Sequence, residues 1–337
     1  MSTTMTRGGH TKEALAQFQS LPLDIKINMS CQRIREWVEY WDGDCYISFS
    51  GGKDSTVLLD LVKNKCGYDY IPAIFIDTGL EYPELKEFAY ARADEILRPK
   101  KTFVEVLKQY GYPIISKQNA QKISEILTTK SDKLKQLRLY GSNKGTAGKL
   151  PDKWKFLLEA PFKISSQCCS IMKKSPAHSY EKKTGFKAII GTLAEESMLR
   201  RTTWMKQGCN AFLSSHPTST PLSFWTEQDI LAYIVQEKLE IASIYGEVQL
   251  DGNNQYYTTG EHRTGCIFCG FGCHLEKEPN RFQRLKEIHP KLWNYCINGG
   301  EYNEDGIWQP NAEGLGMGKV LDYINVDYGK GKVRDGE

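Results

Sequence analysis

Six consecutive residues combine the side chains and backbone freedom needed to bind a phosphate group: Ser50, Gly51, Gly52, Lys53, Asp54 and Ser55. The glycines let the backbone approach a ligand closely, and the free amides at the start of a helix favour an anion. Lys53 adds a positive charge. These features predict a phosphate-binding loop; the alternative is an ordinary strand-to-helix turn, where paired glycines are also common.

The Walker type of phosphate loop requires G-x-x-x-x-G-K followed by Ser or Thr, and this pattern does not occur in the chain. The six residues instead resemble the PP-loop of the ATP pyrophosphatase superfamily, whose members cleave ATP between its α and β phosphates. The resemblance implies that residues 50–55 bind ATP or another adenine nucleotide. It also implies catalytic roles for Lys53, on the phosphates, and for Asp54, as a ligand of a Mg²⁺ ion that neutralises the leaving pyrophosphate.

Cysteines form a second group with chemical potential. Cys168 and Cys169 are adjacent, Cys266 and Cys269 form a C-x-x-C pair, and Cys273 follows. Clustered thiolates bind zinc or an iron–sulfur cluster. An adjacent pair reaches one small ion awkwardly, whereas a cluster with several iron atoms accommodates neighbouring thiolates, so the pattern favours iron and sulfur. Five cysteines are interpreted as buried small hydrophobic residues: Cys31, Cys45, Cys66, Cys209 and Cys296.

Polar residues also follow two further apolar stretches. Asp77, Thr78 and Gly79 follow the predicted strand 70–76, and Gly191 ends the predicted strand 186–191. The carboxyl ends of parallel strands meet at one edge of a sheet, where ligands bind. We therefore expect all four residues beside the phosphate loop, with Asp77 as a second Mg²⁺ ligand.

Arg200 is the third candidate catalytic residue. It follows Gly191 closely in the sequence, and its planar guanidinium suits phosphate recognition. The alternative is an ion pair with Glu195 or Glu196.

The elements that must position these residues alternate between strand and helix. Apolar spacing predicts helices over residues 11–41, 83–97 and 226–239, and the strand at Cys45–Phe49 precedes the phosphate loop. This order predicts an α/β fold with a parallel twisted sheet and helices on both faces. Three regions are expected: an N-terminal helical segment (1–42), a nucleotide-binding domain (43–240) with a basic insertion at about 117–163, and a C-terminal extension carrying C-x-x-C (241–337).

Composition narrows the class of protein. The 337 residues carry a formal charge of +3, and no apolar run reaches the ~20 residues that span a bilayer. The polar N-terminus lacks the apolar core of a secretory signal, so a cytoplasmic location without membrane contact is expected.

Residues 117–163 contain eleven Lys/Arg against four Asp/Glu. This segment either contacts a nucleic-acid backbone or is simply a solvated surface.

Taken together, five features resemble the phosphoadenosine phosphosulfate (PAPS) reductase family over roughly residues 40–275. They occur in this order: the phosphate loop, Phe75-Ile76-Asp77-Thr78-Gly79, Cys168-Cys169, Pro221-Leu222 with Trp225 and Asp229, and Cys266-x-x-Cys269. The four cysteines are similar to those of adenylyl-sulfate (APS) reductases that hold a 4Fe–4S cluster. The resemblance implies this cluster on Cys168, Cys169, Cys266 and Cys269.

Two departures bear on the reaction. Sulfonucleotide reductases use a nucleophilic cysteine in a C-terminal Glu-Cys-Gly-Leu-His, whereas this sequence has no cysteine after Cys296. They also carry an arginine pair shortly after the glycine that matches Gly191, where this chain has Leu193 and Ala194. Related ATP pyrophosphatases, including those of DNA phosphorothioation systems, instead activate an acceptor as its adenylate and then introduce sulfur.

The sequence therefore favours ATP-dependent sulfur transfer to a nucleic acid or related acceptor, with a cysteine desulfurase or thiol donor as partner. The alternatives are a sulfonucleotide reductase whose nucleophile is Cys296, Cys273 or a partner's thiol, and a subunit that binds nucleotide and cluster without catalysis.

Overall fold

A computed structural model of the protein describes residues 9–142 and 145–330. The strands are β1 (Cys45–Phe49), β2 (Ala73–Ile76), β3 (Glu95–Leu97), β4 (Ile114–Ile115), β5 (Lys187–Ile190), β6 (Thr218–Ser219), β7 (Val248–Leu250), β8 (Tyr256–Thr258), β9 (Gly270–Phe271), β10 (Glu301–Tyr302) and β11 (Trp308–Gln309).

The α-helices are α1 (Lys12–Gln19), α2 (Leu23–Tyr40), α3 (Lys53–Asp60), α4 (Pro83–Tyr90), α5 (Phe103–Tyr110), α6 (Lys117–Thr128), α7 (Asp132–Tyr140), α8 (Gln167–Cys169), α9 (Ser175–Thr184), α10 (Met198–Gln207), α11 (Glu227–Glu237), α12 (Arg281–Ile288), α13 (Pro290–Ile297) and α14 (Met317–Tyr323). Two π-helical turns, Leu61–Lys65 and Ser170–Lys174, continue α3 and α8. No helix among the described residues is both long enough and apolar enough to span a bilayer.

A five-stranded parallel sheet organises the fold, in the order β3-β2-β1-β5-β6. The central strand β1 pairs with β2 through Phe49 and Phe75, and with β5 through Ser48 and Ile190. The three inner strands are mainly apolar, and most of their residues are buried, as expected where helices surround a parallel sheet. The predicted α/β fold class is confirmed.

The described chain divides into two compact units. The first contains residues 9–77, 81–98 and 177–264, and it includes the whole five-stranded sheet. The second contains residues 78–80 and two longer segments, 99–176 and 265–330. The basic insertion (117–163) falls in the second unit with residues 265–330, whereas residues 241–264 of the expected C-terminal extension fall in the first.

The second unit is mainly helical. Its strands form two small pairs, β4 with β9 and β10 with β11. Tyr112, fully buried, donates a hydrogen bond from its hydroxyl to the carbonyl oxygen of Leu315 at 2.7 Å. That bond joins the middle of the sequence to its C-terminal part.

Two predicted helices are wrong in extent. The helix expected over 83–97 ends at Tyr90, and residues 95–97 form β3. The Asp94 carboxylate accepts hydrogen bonds from the Ala73 amide and from Lys63, both at 2.7 Å, which fixes this segment beside β2. The helix expected over 11–41 is two helices, because Pro22 cannot donate the amide hydrogen bond that a continuous helix requires there.

The basic segment 117–163 forms α6, α7 and a 3-10 turn, with residues 143–144 outside the described part. Some of its charges are used internally: buried Lys122 donates to the Lys149 carbonyl oxygen at 2.7 Å, and Arg138 pairs with Glu125. Six lysines are exposed: Lys117, Lys130, Lys133, Lys135, Lys153 and Lys163. Part of the segment is therefore structural, and the remainder is an exposed basic surface.

Candidate nucleotide site and cysteine site

The loop between β1 and α3 requires glycine at Gly51. Its φ angle is +74°, a left-handed conformation that favours glycine. A Cβ atom there would lie 2.9 Å from the carbonyl oxygen of Leu85 and 3.0 Å from the Cβ of Ala89. The close packing of α4 against the loop thus explains the residue type.

Both serines of the loop hold its shape. The hydroxyls of Ser50 and Ser55 lie 3.1 Å apart, and the Gly52 amide donates to the Ser50 hydroxyl at 3.3 Å. The Ser55 hydroxyl in turn donates to the Gly52 carbonyl oxygen at 2.9 Å. The turn is therefore ordered by its own side chains.

Gly191 serves the loop by allowing close packing. A Cβ atom at this position would lie 2.9 Å from the carbonyl oxygen of Asp54 and 3.3 Å from the Cα of Ser55. The end of β5 consequently approaches the first turn of α3 at a distance that only glycine permits. Its contribution to the predicted nucleotide site is to position α3.

Lys53 is buried at the N-terminus of α3 among anionic and polar partners. Its Nζ lies 3.1 Å from Glu227 Oε1 and 3.7 Å from Asp54 Oδ1, and it donates to the His262 carbonyl oxygen at 3.2 Å. Burial lowers the pKa of Lys53, but the two carboxylates outweigh this effect and the pKa is raised. The lysine is thus held as a cation.

The backbone amide of Lys53 has its own partner, the hydroxyl of Tyr245 at 3.3 Å. That hydroxyl also hydrogen-bonds Thr264. An anion at the helix N-terminus would compete with Tyr245 for the amide.

Asp54 carries the least satisfied polar group of this site. Its Oδ1 is buried and has no hydrogen-bond partner among the described residues. Burial raises the pKa of Asp54, and the charges of Lys53, Arg200 and Arg263 oppose this rise in part. A buried carboxylate oxygen without a donor is suited to coordinate a cation such as Mg²⁺.

Arg200 lies in the first turn of α10 and forms an ion pair with Glu196, the alternative considered for it. It is also close enough to Asp54 to lower the pKa of that carboxyl. Arg200 therefore belongs to the charged group around the loop.

Asp77, at the end of β2, is buried and held by cations. Its carboxylate lies 2.9 Å from Lys86 Nζ and 3.5 Å from Arg98 Nε, and it accepts a hydrogen bond from the Tyr90 hydroxyl at 2.6 Å. The parallel pairing of β1 with β2 brings Asp77 to the sheet edge of the phosphate loop. Its role as a Mg²⁺ ligand stays a prediction.

Thr78 and Gly79 belong to the second unit. Thr78 is buried, and its hydroxyl oxygen accepts a hydrogen bond from the Leu80 amide at 3.2 Å. Gly79 adopts a φ of +72°. Their nucleotide-binding role also stays a prediction.

The four predicted cluster ligands all belong to the second unit. Cys168 and Cys169 lie on the short helix α8, and the Cys269 amide donates to the Cys266 carbonyl oxygen at 3.1 Å in a tight turn. Burial raises the pKa of the Cys168 thiol, and the other three cysteines raise it further. Burial and Cys266 likewise raise the pKa of Cys269 to about 11. Four cysteine thiols in one compact unit provide the donor set of a 4Fe–4S cluster.

Cys273, which is not one of the four predicted cluster ligands, has a hydrogen-bond partner within the protein. Its thiol is buried and donates to the Gly270 carbonyl oxygen at 3.1 Å, and burial raises its pKa to about 12. Beside this region, Arg281 donates from Nη1 to the Cys269 carbonyl oxygen at 2.9 Å and pairs with Glu276. Arg281 also lowers the pKa of Cys269 and of Cys273.

Sequence reasoning missed several residues around the predicted phosphate loop: Glu227, Tyr245, His262, Arg263 and Thr264. They lie far from the loop in sequence, and no local motif marks the last four. Only Glu227 carried a signal, since it opens a helix after Thr226, a capping residue that the helical pattern identifies.

Comparisons with curated proteins found distant relatives. Two uncharacterized proteins of Methanocaldococcus jannaschii are 25% identical over 259 residues and 27% identical over 273 residues, covering 75% and 78% of this chain. These matches cover 40% and 50% of the relatives, so the chain spans half or less of their length. An argininosuccinate synthase of Methanosarcina barkeri is 35% identical over 72 residues, 20% of this chain and 18% of that protein.

The solved structures that this chain matches include two from Candida species. A phosphoadenylyl-sulfate (PAPS) reductase from Candida auris, in a phosphate complex, is 16% identical, with a TM-score of 0.36 over 73% of this chain and 97% of that one. The FMN adenylyltransferase of Candida glabrata is 14% identical, with a TM-score of 0.35 over 70% of this chain and 69% of that one.

The family comparison covers the region that contains both sites. Residues 44–273 match the model described as the phosphoadenosine phosphosulfate reductase domain. This match includes the phosphate loop, the sheet around it and all four clustered cysteines. The chain therefore belongs to the phosphoadenosine phosphosulfate reductase domain family.

Proposed function

We propose that this protein is an ATP pyrophosphatase that transfers sulfur to an acceptor, with a nucleic acid as the acceptor. The observation that carries the proposal is the charged group at the phosphate loop. It combines a buried lysine at a helix N-terminus with Asp54, whose buried carboxylate oxygen lacks a hydrogen-bond partner among the described residues. The lysine and the helix N-terminus suit the phosphates of a nucleotide. The Asp54 carboxylate oxygen suits the metal ion that accompanies those phosphates.

In the proposed first step, an acceptor oxygen attacks the α-phosphorus of ATP. A bond forms between that oxygen and phosphorus, the bond to the bridging oxygen breaks, pyrophosphate leaves, and the acceptor proton passes to solvent. Lys53 and the α3 amides hold the phosphates, and Arg200 adds positive charge. A Mg²⁺ ion bound at Asp54 would neutralise the leaving pyrophosphate.

In the second step, the outer sulfur of a desulfurase persulfide attacks the activated atom of the acceptor. The new bond to sulfur replaces the bond to the adenylate oxygen, and AMP leaves. A thiol donor then attacks the desulfurase sulfur of the resulting disulfide, so the transferred sulfur stays on the acceptor and the donor thiol forms a disulfide with the desulfurase cysteine. Four residues of this chain would hold a 4Fe–4S cluster: Cys168, Cys169, Cys266 and Cys269. Such a cluster supplies iron that binds sulfur ligands.

The cysteines argue against sulfonucleotide reduction by this chain alone. Reduction requires an accessible thiolate that attacks sulfur. Cys296 is fully buried and burial raises the pKa of its thiol, while Cys273 is buried and hydrogen-bonded. Leu193 and Ala194, which occupy the place of the family's arginine pair, are also buried and carry no charge.

An anaerobic assay separates the three candidate functions. The purified protein is incubated in parallel with ATP, APS and PAPS, with a thiol donor and with or without RNA or DNA. Pyrophosphate from ATP supports the proposal. Sulfite from APS or PAPS would instead establish the reductase, and nucleotide binding without either product would leave a non-catalytic subunit.

The proposed nucleic-acid acceptor can be tested through the exposed lysines of α7. Replacing Lys133 and Lys135 with Ala should weaken binding to RNA or DNA, and the salt slope of binding should fall by about one for each phosphate that the lysines no longer neutralise. Lys122→Ala provides the matched control, because this lysine is buried and its removal should lower the melting temperature instead. An unchanged salt slope in the double variant would contradict the proposed surface.

A further inference from the structure

A group of metal-ligating side chains lies outside both sites described above. His178 and Glu181 belong to α9, and His216 lies in the loop before β6. The ligand atoms of all three residues lie within 4.8 Å of one another. The group is part of the first unit, whereas the clustered cysteines are part of the second.

We propose that His178, Glu181 and His216 form a binding site for a borderline transition-metal cation such as zinc. Two imidazoles and one carboxylate are a ligand set that zinc uses in proteins, with a fourth position left for water. Imidazole nitrogen favours zinc over Mg²⁺ or Ca²⁺, which prefer oxygen ligands.

The helix provides half of the site by its periodicity. Residues three apart on a helix lie on the same face, so His178 and Glu181 project together from α9. The loop before β6 then brings His216 against them, with its ring stacked on that of His178 at a centroid distance of 4.7 Å and an angle of 2°. Two segments distant in sequence thus converge at one point.

Glu181 has the supporting hydrogen bond that metal-binding carboxylates usually have. The hydroxyl of Tyr46 in β1 donates to Glu181 Oε1 at 2.9 Å, and Tyr46 itself is buried in the sheet. Such outer contacts orient the ligand and increase metal affinity. The carboxylate is therefore anchored to the rigid part of the fold.

Access and geometry are both compatible with a metal ion. Both histidines are exposed, so a cation reaches the site from solvent. Zinc–nitrogen bonds of about 2.0–2.1 Å place the two nitrogens roughly 3.4 Å apart in a tetrahedral site. A shared ion must lie in the plane of each ring, so one of the two nearly parallel rings must turn about its side-chain torsions to bind it, and both side chains are exposed enough to do so.

The test is a titration of the full-length, cluster-loaded protein with zinc chloride, in which calorimetry measures the number of zinc ions bound. The wild type should bind one zinc ion more than His178→Ala or His216→Ala, while Lys182→Ala, on the exposed surface of the same helix, should keep it. Tyr46→Phe keeps the ring and should weaken zinc binding by about tenfold. Equal zinc stoichiometry in the wild type and both histidine variants would overturn the proposal.

A second measurement is independent of the cysteines. Hydrogen exchange should show that zinc protects the loop before β6 and α9 in the wild type, because the ion joins them. The same zinc concentration should leave exchange unchanged in His216→Ala. Identical exchange in the wild type with and without zinc would also count against the site.

Discussion

The phosphate loop and the cysteine site achieve charge balance in opposite ways. At the loop, buried Lys53 is matched by Asp54 and Glu227 within the protein, and the pKa of the lysine is raised. At the cysteine site, burial and the neighbouring cysteines raise the pKa values of Cys168 and Cys269. Lys53 is thus held in its charged form, whereas these thiols are stable in their neutral form.

This difference shows what each site needs from its ligand. If a nucleotide binds there, its phosphate oxygens would replace protein partners of Lys53, and the lysine would already carry its charge. A metal centre on the cysteines must displace protons, because thiolates are the ligands. Lys53 at the loop carries its charge before any ligand binds. The cysteine thiols would become charged only when metal cations bind and displace their protons.

The largest expected effect follows from removing a cluster ligand. Cys168→Ser should reduce bound iron from about four atoms per chain to near zero and abolish the brown colour near 400 nm, because one of four thiolates is missing. Iron analysis and absorption after anaerobic purification measure this. Cys66→Ser, a cysteine outside the group, should keep both. One tightly bound zinc and no iron in the wild type would break this side of the comparison.

A smaller effect is expected at the loop. Lys53→Met keeps an extended buried side chain but removes the charge, and should reduce pyrophosphate release from ATP by about 10²–10³-fold, the usual effect of removing one group that stabilises charge in a transition state. Lys65→Met is the matched control, since this lysine pairs with Glu237 on the surface. Activity within a fewfold of the wild type in Lys53→Met would show that this cation does not act on the phosphates.

The sequence predicted the fold class and the strand, turn and helix at residues 45–60 because their signals are local. The alternation over 45–49, the glycines and the helical spacing that follows depend on neighbouring residues, and the structure places this strand at the centre of the sheet. The two cysteine pairs could also be recognised in the sequence, because Cys168 and Cys169 are adjacent and Cys266 and Cys269 form a C-x-x-C motif.

What surrounds the loop could not be predicted, because it depends on long-range packing. Glu227, Tyr245 and His262 reach Lys53 from positions more than 170 residues away. The error at 95–97 has a similar origin: pairing with β2 overrides a pattern that resembles a helix. Tertiary packing therefore determines both the partners of Lys53 and the strand at residues 95–97.

The pH dependence of stability tests the buried carboxylate. Burial raises the pKa of Asp54 in the folded state above its ordinary value of 3.8. The folded protein therefore binds this proton more strongly than the unfolded chain, and Asp54 lowers the free energy of unfolding as pH rises above about 4. Asp54→Asn removes this contribution, so its melting temperature relative to the wild type should increase from pH 4 to pH 7. A constant difference across this range would contradict the assignment.

The smallest effect concerns the carboxylate that faces Lys53 from α11. Glu227→Gln keeps the shape of the side chain but removes its charge, so Lys53 retains one nearby anionic partner, Asp54. Because the Glu227 side chain is 41% exposed, solvent screens the pair, and its contribution is at most about 1 kcal/mol. Phosphate then competes with one carboxylate fewer, and calorimetry should show ATP binding up to about fivefold tighter without Mg²⁺. Weaker binding in the presence of Mg²⁺ alone would show that Glu227 is a metal ligand, and weaker binding in both conditions would show that it contacts the nucleotide directly. Either result would mean that the loop is completed by its ligand, as the cysteine site is, rather than balanced beforehand.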